Sequence, residues 1–542
     1  MKTKLTSSAA FFNLRVLIGF ALCSVGLVMA LAGLSKSVTG TIAATPDTNT
    51  HHQHHHYRLV DIGTFGGPAS FINPPNNVNP ELSSRGVTGG ASATSVSTTS
   101  TNNFAACGGL DGLVPKVFHA FEWQKGSVLD LGALPPAHNH CSDAEAVSEN
   151  GDIVVGASEN EIIDPILGVH ELRAVRWQNG AISDLGTLGG NIAVAGSLNK
   201  QGQVAGFASN SMPDSFSIYY YLIGGSSNGT QTRAFLWDES NGMRDLGTLG
   251  TGNDALASFL NVRGQVAGFS YTNATPNPTT GIPTLDPFLW DERNGMQDLG
   301  TLGGTLGSPT ALNNHGEVIG ISNLNGDQSA DPFLWKDGIL LDLYTSTSGG
   351  NPFTADAIND AGEIVGQALF PNQVSDAYLW RNGVATDLGH LEGDCSSRAW
   401  AINSKSQIAG ISLPCTGIEG RAFLWENGSM VNLNALVPPG SSLKLLLPMA
   451  INDRGEITGI GLPPGCTHTD NGGECGHAFL LIPCDENHPG IEGCDYSLVD
   501  ASAAVAQTVP VIRDASRPAL PPSLMSRMSR YHFPGRAFGP RN

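Results

Sequence analysis

One short phrase recurs along this chain: Phe-Leu-Trp or a close variant, a turn containing Gly, then Asp-Leu-Gly. Clear copies stand at 235–237 with 245–247, 288–290 with 298–300, and 378–380 with 387–389. The anchoring tryptophans are Trp123, Trp177, Trp237, Trp290, Trp335, Trp380 and Trp425; the last three intervals are 45 residues and the earlier ones 53 to 60. A period in that range marks an array of repeated units, each burying a face against its neighbour. A chain of 542 residues would otherwise suggest several domains, but such an array can form one cooperative body.

Each unit divides into four short strands. In the unit beginning at Thr354 they are expected at 355–359, 363–368, 377–380 and 384–388. Asn359-Asp360-Ala361-Gly362 has the chemistry of a three-residue hairpin loop with a left-handed Gly, and Asn382-Gly383 that of a two-residue hairpin. Four strands joined by tight turns describe one blade of a β-propeller. First strands can be counted eight times, near Phe71, Val147, Leu198, Leu260, Leu312, Ile358, Ile402 and Ile451. The Asp-Leu-Gly strand also occurs eight times, but out of phase. Its first copy, Val60-Asp61-Ile62-Gly63, precedes any complete unit, and nothing follows the last unit at 478–482.

The expected fold is therefore all-β: an eight-bladed propeller of four-stranded blades, occupying 57–483. Pairing of the N-terminal strand at 57–63 with the last blade would close it and remove an exposed edge. Seven blades, or an open β-repeat solenoid, are the alternatives.

Composition narrows the partners. Only 14% of residues are charged, 67 are Gly and 40% are hydrophobic, which suits a turn-dense β protein with a sizeable core. The net charge of −20 argues against nucleic acid and against anionic lipid. Lys2, Lys4 and Arg15 precede an apolar run over 16–34, and Ala30-Leu31-Ala32 offers a small-residue cleavage pattern, so 1–33 reads as a signal peptide. Uncleaved, the same run would serve as a signal anchor. A monomer exported to the envelope or the surroundings is expected.

Outside the signal lie eight cysteines, an even number that reads as disulfides in an exported chain. Placing them on the loops of an eight-bladed ring pairs neighbours as Cys107–Cys141, Cys395–Cys415, Cys466–Cys475 and Cys484–Cys494. The last pair would fasten an extension over 484–496. Beyond it, 497–542 is rich in Ala, Pro and Ser and carries six arginines, the pattern of a disordered basic tail.

The combination of His/Arg-Ala-Phe-Leu-Trp, Asp-Leu-Gly-Thr-Leu-Gly-Gly and Ala-Ile-Asn-x-x-Gly resembles the HAF-repeat family of extracellular bacterial proteins. The literal triplet stands at His119-Ala120-Phe121 and His477-Ala478-Phe479. The resemblance covers roughly 57–483. It implies export and a repeat β-fold, and carries over no catalytic residues.

Candidate chemistry is sparse. The seven anchor tryptophans are expected to pack between blades, and the repeated Asp of Asp184, Asp245, Asp298, Asp342 and Asp387 to accept local hydrogen bonds. Trp400 alone lies outside the anchor position, on an inner strand, where it either packs or presents a ring to a sugar. Asp143, Glu145, Asp254 and Asp356 stand near the starts of inner strands. They are solvated loop carboxylates, or they converge on the axis to bind a structural cation or serve a hydrolase or lyase of an extracellular polymer.

The run His51-His52-Gln53-His54-His55-His56 reads as part of a flexible, incidentally metal-binding linker over 34–56. Cys466-Thr467-His468 with Cys475-Gly476-His477 departs from zinc spacing, and export favours a disulfide there. By topology one face of the disc carries short turns. The other receives the long insertions at 91–117, 159–172, 209–232 and 271–286, and such loops commonly carry function. The leading expectation is a non-enzymatic module that binds a protein or polysaccharide through this decorated face, with no cofactor.

Overall fold

The computed structural model describes residues 53–72, 82–98, 114–135, 140–223, 226, 228–416, 420–466 and 475–500. The expected signal segment, most of the linker, Cys107, His468 and the arginine-rich tail beyond 500 lie outside the described residues. Apart from the short helical turns Ile218–Ile223, Leu343–Ser346 and Leu433–Ala435, the regular structure among them is β-strand. No described helix is long and apolar enough to cross a membrane.

Strands Ala255–Leu260, Val266–Tyr271, Leu285–Asp291 and Gly295–Asp298 pair in chain order, all antiparallel. The same up-and-down order recurs through eight units among the described residues, numbered here one to eight from the first strand Gly66–Phe71. The two larger sheets are each a pair of such units joined by one parallel bridge, Leu285↔Leu306 and Ser375↔Ser396.

The turns follow the residues that form them. In the hairpins between third and fourth strands, Lys125-Gly126, Asn179-Gly180, Asp337-Gly338, Asn382-Gly383 and Asn427-Gly428 all have positive φ at both positions. That is the twist a two-residue hairpin needs. In the Asp-Leu-Gly motif the carboxylate accepts from the Gly N–H two residues on, at 2.8 or 2.9 Å in six copies from Asp61 to Asp387. Asp342 instead caps the helical turn that follows it, accepting from Tyr344 and Thr345 N–H. The repeated Asp is thus a turn-former.

A basic residue two positions before the motif Phe meets that Asp across the hairpin. His119, Arg173 and His477 stand 3.0 Å from Asp130, Asp184 and Asp61, and Arg233 is 3.0 Å from Asp245. Units four, five and six break the rule with Asp286, Asp331 and Asp376 at that position, near Asp298, Asp342 and Asp387. Burial, then the Asp298 charge, push the Asp286 carboxyl up to about 7. A folded-state value above the unfolded one gives a contribution fully present below about 4 and lost as pH rises through about 7. Asp286→Arg, which restores the pair, is expected to raise stability at pH 8 by about 0.5–1 kcal/mol and flatten the difference between pH 5 and pH 8 in urea unfolding. Equal stability of the two proteins at pH 8 would contradict the pairing rule.

The core lies between units. Trp177 packs with Val87 and Ala120 of unit one, and Trp290 with Ala234 and Leu236 of unit three. The other anchors, Trp123, Trp237, Trp335, Trp380 and Trp425, enter equivalent clusters. Such large rings hold neighbouring sheets together by apolar burial.

Unit eight draws its fourth strand from the other end of the chain. Tyr57–Asp61 runs antiparallel to His477–Pro483, with Leu59 opposite Leu481. The contact between units eight and one repeats chemistry used elsewhere. Ala478 N–H donates to Ser70 Oγ at 2.9 Å, as Ala120 N–H does to Ser142 and Ala377 N–H to Ser397. Phe71 and Trp123 of unit one share a cluster with Leu447, Ile460 and Leu480 of unit eight.

Two expectations need correction. The His run is not all linker: Gln53–His55 forms a strand paired with Leu498–Asp500. His54 is fully buried there, its ring nitrogens 2.9 Å from Glu426 Oε1 and 3.0 Å from Ser429 Oγ, so local composition missed a partner far away in sequence. The insertion at 159–172 is largely strand, because Ile153–Ile163 and His170–Gln178 extend past their unit as a projecting hairpin.

Candidate functional site

The first-to-second-strand turns gather at one end of the units, and their Asn side chains form a belt. Asn199 Nδ2 donates to the Asn261 carbonyl, Asn261 to Asn313, Asn313 to Asn359, Asn359 to Asn403, Asn403 to Asn452 and Asn452 to Ser83, at 2.8 to 3.2 Å. Ser84 then donates to the Glu149 carbonyl. The second amide hydrogen of each Asn reaches a Gln or Glu four residues on, as from Asn313 to Glu317 and from Asn452 to Glu456. Its Oδ1 accepts two backbone N–H groups of its own turn, as with Glu363 and Ala361 at Asn359. One side chain therefore closes its turn and ties it to the next unit. In unit seven Ser406 holds the left-handed position at φ 60° without a Gly, and its hydroxyl bonds Glu363 of unit six.

Inside this belt is a cavity of about 330 Å³ lined by residues from all eight units. Its walls include Leu82, Val147, Leu312, Ile358, Ile402 and Ile451. The residue after each Asn, or after its counterpart in units one and two, forms the rim: Glu149, Lys200, Asn314, Asp360, Ser404 and Asp453 among them. The rim is itself tied, Asn314 N–H and Nδ2 donating to Asp360 and Ser404 N–H to Asp453. Sequence reasoning missed this well. The signal was present in Ala-Ile-Asn-x-x-Gly, whose Asn was read only as a turn residue.

Apart from Asp143 and Glu145, which neighbour each other, the predicted axial carboxylates have separate partners. Asp356 forms a two-pronged ion pair with Arg398 of unit seven at 2.6 and 2.7 Å. Asp254 accepts the Ile218 N–H at 2.6 Å, and burial, then Asp214, push its carboxyl up to about 8. Glu145 is raised well above its ordinary value by burial and by neighbouring Asp143. Among the described residues no group of three or more His, Cys, Asp or Glu is placed to hold a metal. Trp400 is 4% exposed within the cluster that joins units seven, eight and one, so its ring presents no face to a sugar.

The opposite face carries the insertions, and several are locked down. Cys395–Cys415 and Cys466–Cys475 are disulfides here, with Cα separations of 4.9 and 5.9 Å, and Cys484–Cys494, at 5.4 Å, closes the extension at the belt end. The middle one excludes the Cys/His zinc reading. Cys141 is also disulfide-bonded, its partner outside the described residues. Each bridge stabilises by roughly 2–4 kcal/mol. The insertion after Pro213 packs onto units two to four. Tyr220 donates to Asp164 at 2.7 Å and Tyr271 to the Phe216 carbonyl at 2.9 Å, while Ile218, Tyr219 and Tyr220 sit in an apolar cluster.

Aliphatic side chains project from this face among polar ones such as Glu161 and Ser211. The ends of Thr88–Ser97, Ile153–Ile163 and Val204–Pro213, in three successive units, expose Val96 by 42%, Ile162 by 58%, Ile163 by 49% and Met212 by 57%. Two tips share one device. Asn160 Oδ1 accepts the Ile162 N–H while its amide donates to Glu171; Asn210 does the same for Met212 and Gln231. The apolar tips are therefore held in fixed positions.

No family model matches this chain, and no curated protein does. Among solved structures it is similar to an acylaminoacyl peptidase of Pyrococcus horikoshii, at 10% identity and a TM-score of 0.31, covering 66% of this chain and 54% of that one. It is also similar to a dipeptidyl peptidase 4 of Porphyromonas gingivalis, at 10% identity and a TM-score of 0.37, covering 64% and 54%. A prolyl endopeptidase gives 11% identity and a TM-score of 0.38 over 65% and 51%. The chain thus spans about half the length of each, and at these scores the likeness carries nothing about activity.

Proposed function

We propose that this chain is an exported, closed eight-bladed β-propeller that binds a protein partner through its decorated face. One observation carries the reading. Two successive units hold Ile162, Ile163 and Met212 in solvent on that face by fixed Asn-centred turns, and the strand end of the unit before them exposes Val96. Aliphatic side chains exposed on one face suit a protein contact surface, the role that contiguous apolar patches mark. Carbohydrate binding instead relies on aromatic faces, and the non-anchor Trp400 is buried. Rigid tips bind with less loss of conformational freedom. Closure is supported by the Tyr57–Asp61 pairing, the unit eight–unit one cluster and the cavity that all eight units line. Export is supported by the disulfides, which persist in oxidising compartments, and by the HAF-repeat resemblance.

The test is affinity capture from the producing cell's envelope with wild-type protein and an Ile162→Ser/Ile163→Ser/Met212→Ser variant, both checked for equal thermal stability. Loss of at least tenfold in one captured protein is the expected result. A glycan retained by both would favour the polysaccharide reading. The same proteins retained equally by both would sink the decorated-face reading.

A further inference from the structure

The well stands on the face away from those tips, and the described chain ends at the outer turn of unit seven on that same face. The extension after Pro483 is clasped to the belt: His488 Nε2 lies 3.3 Å from Glu456 Oε1 and its Nδ1 2.6 Å from Asp485, while Glu456 Oε2 accepts from Asn452 in the cavity wall. The chain then runs to Leu498–Asp500, whose partner strand is pinned by His54 to Glu426 and Ser429 at the outer turn of unit seven. Glu426 in turn bonds Gln407, which bonds Asn403 of the belt.

Beyond Asp500 the sequence carries Arg513, Arg517, Arg527, Arg530, Arg536 and Arg541 against the single acid Asp514. The surface it leaves from carries exposed acids, Glu486, Glu492 and Asp495 on the extension and Glu149 and Asp453 on the rim. Of the basic residues beside the rim, Arg454 pairs with Glu456 and Arg85 with Asp152, while Arg263 and Lys405 are exposed.

We propose that the segment 501–542 of this same chain docks on this face and seats an arginine in the axial well. The fit is chemical. Aliphatic walls suit the methylene stem of an arginine, and rim carboxylates suit the planar fork of its guanidinium. An anion finds no such match at a rim with Glu149, Asp360 and Asp453 against Lys200. The reach suffices. Thirteen residues to Arg513 span up to about 40 Å when extended, and four strands set the outer edge of a unit roughly 15–20 Å from its inner strand. Tethering gives the segment an effective concentration in the millimolar range.

The experiment uses the full mature chain and a full-length variant with all six tail arginines replaced by Gln. A fluorescent peptide of sequence 501–542 is titrated into each and followed by anisotropy. The six-Gln variant is expected to bind the peptide at least tenfold more tightly than wild type, whose own segment competes. Glu149→Gln and Asp453→Asn, each added to the six-Gln variant, are expected to weaken binding about tenfold, whereas Ile162→Ser leaves it unchanged. Equal affinity of wild type and the six-Gln variant, or no binding to either, overturns the proposal. So does binding that is insensitive to both rim substitutions. Failure here leaves the decorated-face reading untouched, because the two surfaces are on opposite ends of the units.

Discussion

Asp356→Ala is expected to lower the stability of this protein by about 3–5 kcal/mol, among the largest effects of any single substitution on its inner strands. Asp356 holds the guanidinium of Arg398 with both oxygens, and Thr354 Oγ1 donates to the same carboxylate. The side chains are 9% and 17% exposed, so water replaces little of what is lost. Removing the acid strands a cation between units six and seven. The cost is chiefly that of the unpaired charge, so Asp356→Ala/Arg398→Met should recover most of it. Urea unfolding of the two variants against wild type reads the difference. If the single variant lost less than about 1 kcal/mol, the pair would be a solvated contact and the carboxylate would return to consideration as a reactive group.

Leu59→Ala is expected to cost about 2–5 kcal/mol, the range for a buried leucine, and to act on the whole molecule. Leu59 is 5% exposed and packs with Leu424, Leu445 and Phe479. In a ring the strand carrying it holds the two ends of the chain together, so weakening it should loosen units one and eight together. Hydrogen exchange by mass spectrometry would show faster exchange in 88–97 and 457–462 at once. An open array would confine the change to unit eight and leave unit one at the wild-type rate.

Much of the local architecture was legible because it is written by turn chemistry. Gly383 and Gly389 adopt the left-handed conformations that only glycine takes without strain, and Asp387 closes the turn at Gly389 within three residues. The Trp spacing marked the packing seams for the same reason: a residue that recurs once per unit faces the same neighbour each time. The out-of-phase Asp-Leu-Gly count even pointed to Tyr57–Asp61 as the missing strand of unit eight.

The candidate sites were far less legible. Asp143, Glu145, Asp254 and Asp356 share a place near the starts of inner strands, and position alone suggested convergence. The structure gives Asp254 and Asp356 different partners because groups from an insertion and a neighbouring unit reach them first, the Ile218 backbone N–H for Asp254 and the Arg398 side chain for Asp356. Trp400 looked exceptional by spacing and is ordinary by burial.

By itself, then, the sequence determined the strands, the turns, the period and the cysteine pairs that lie close along the chain, since all of these depend on residues a few positions apart. Only the tertiary structure decided which groups meet across units. It made the turn asparagines a belt around a well, buried His54 against Glu426, and lifted Ile162 and Met212 into solvent. Those outcomes depend on where separate units stand in space, and no local pattern of residues encodes that distance.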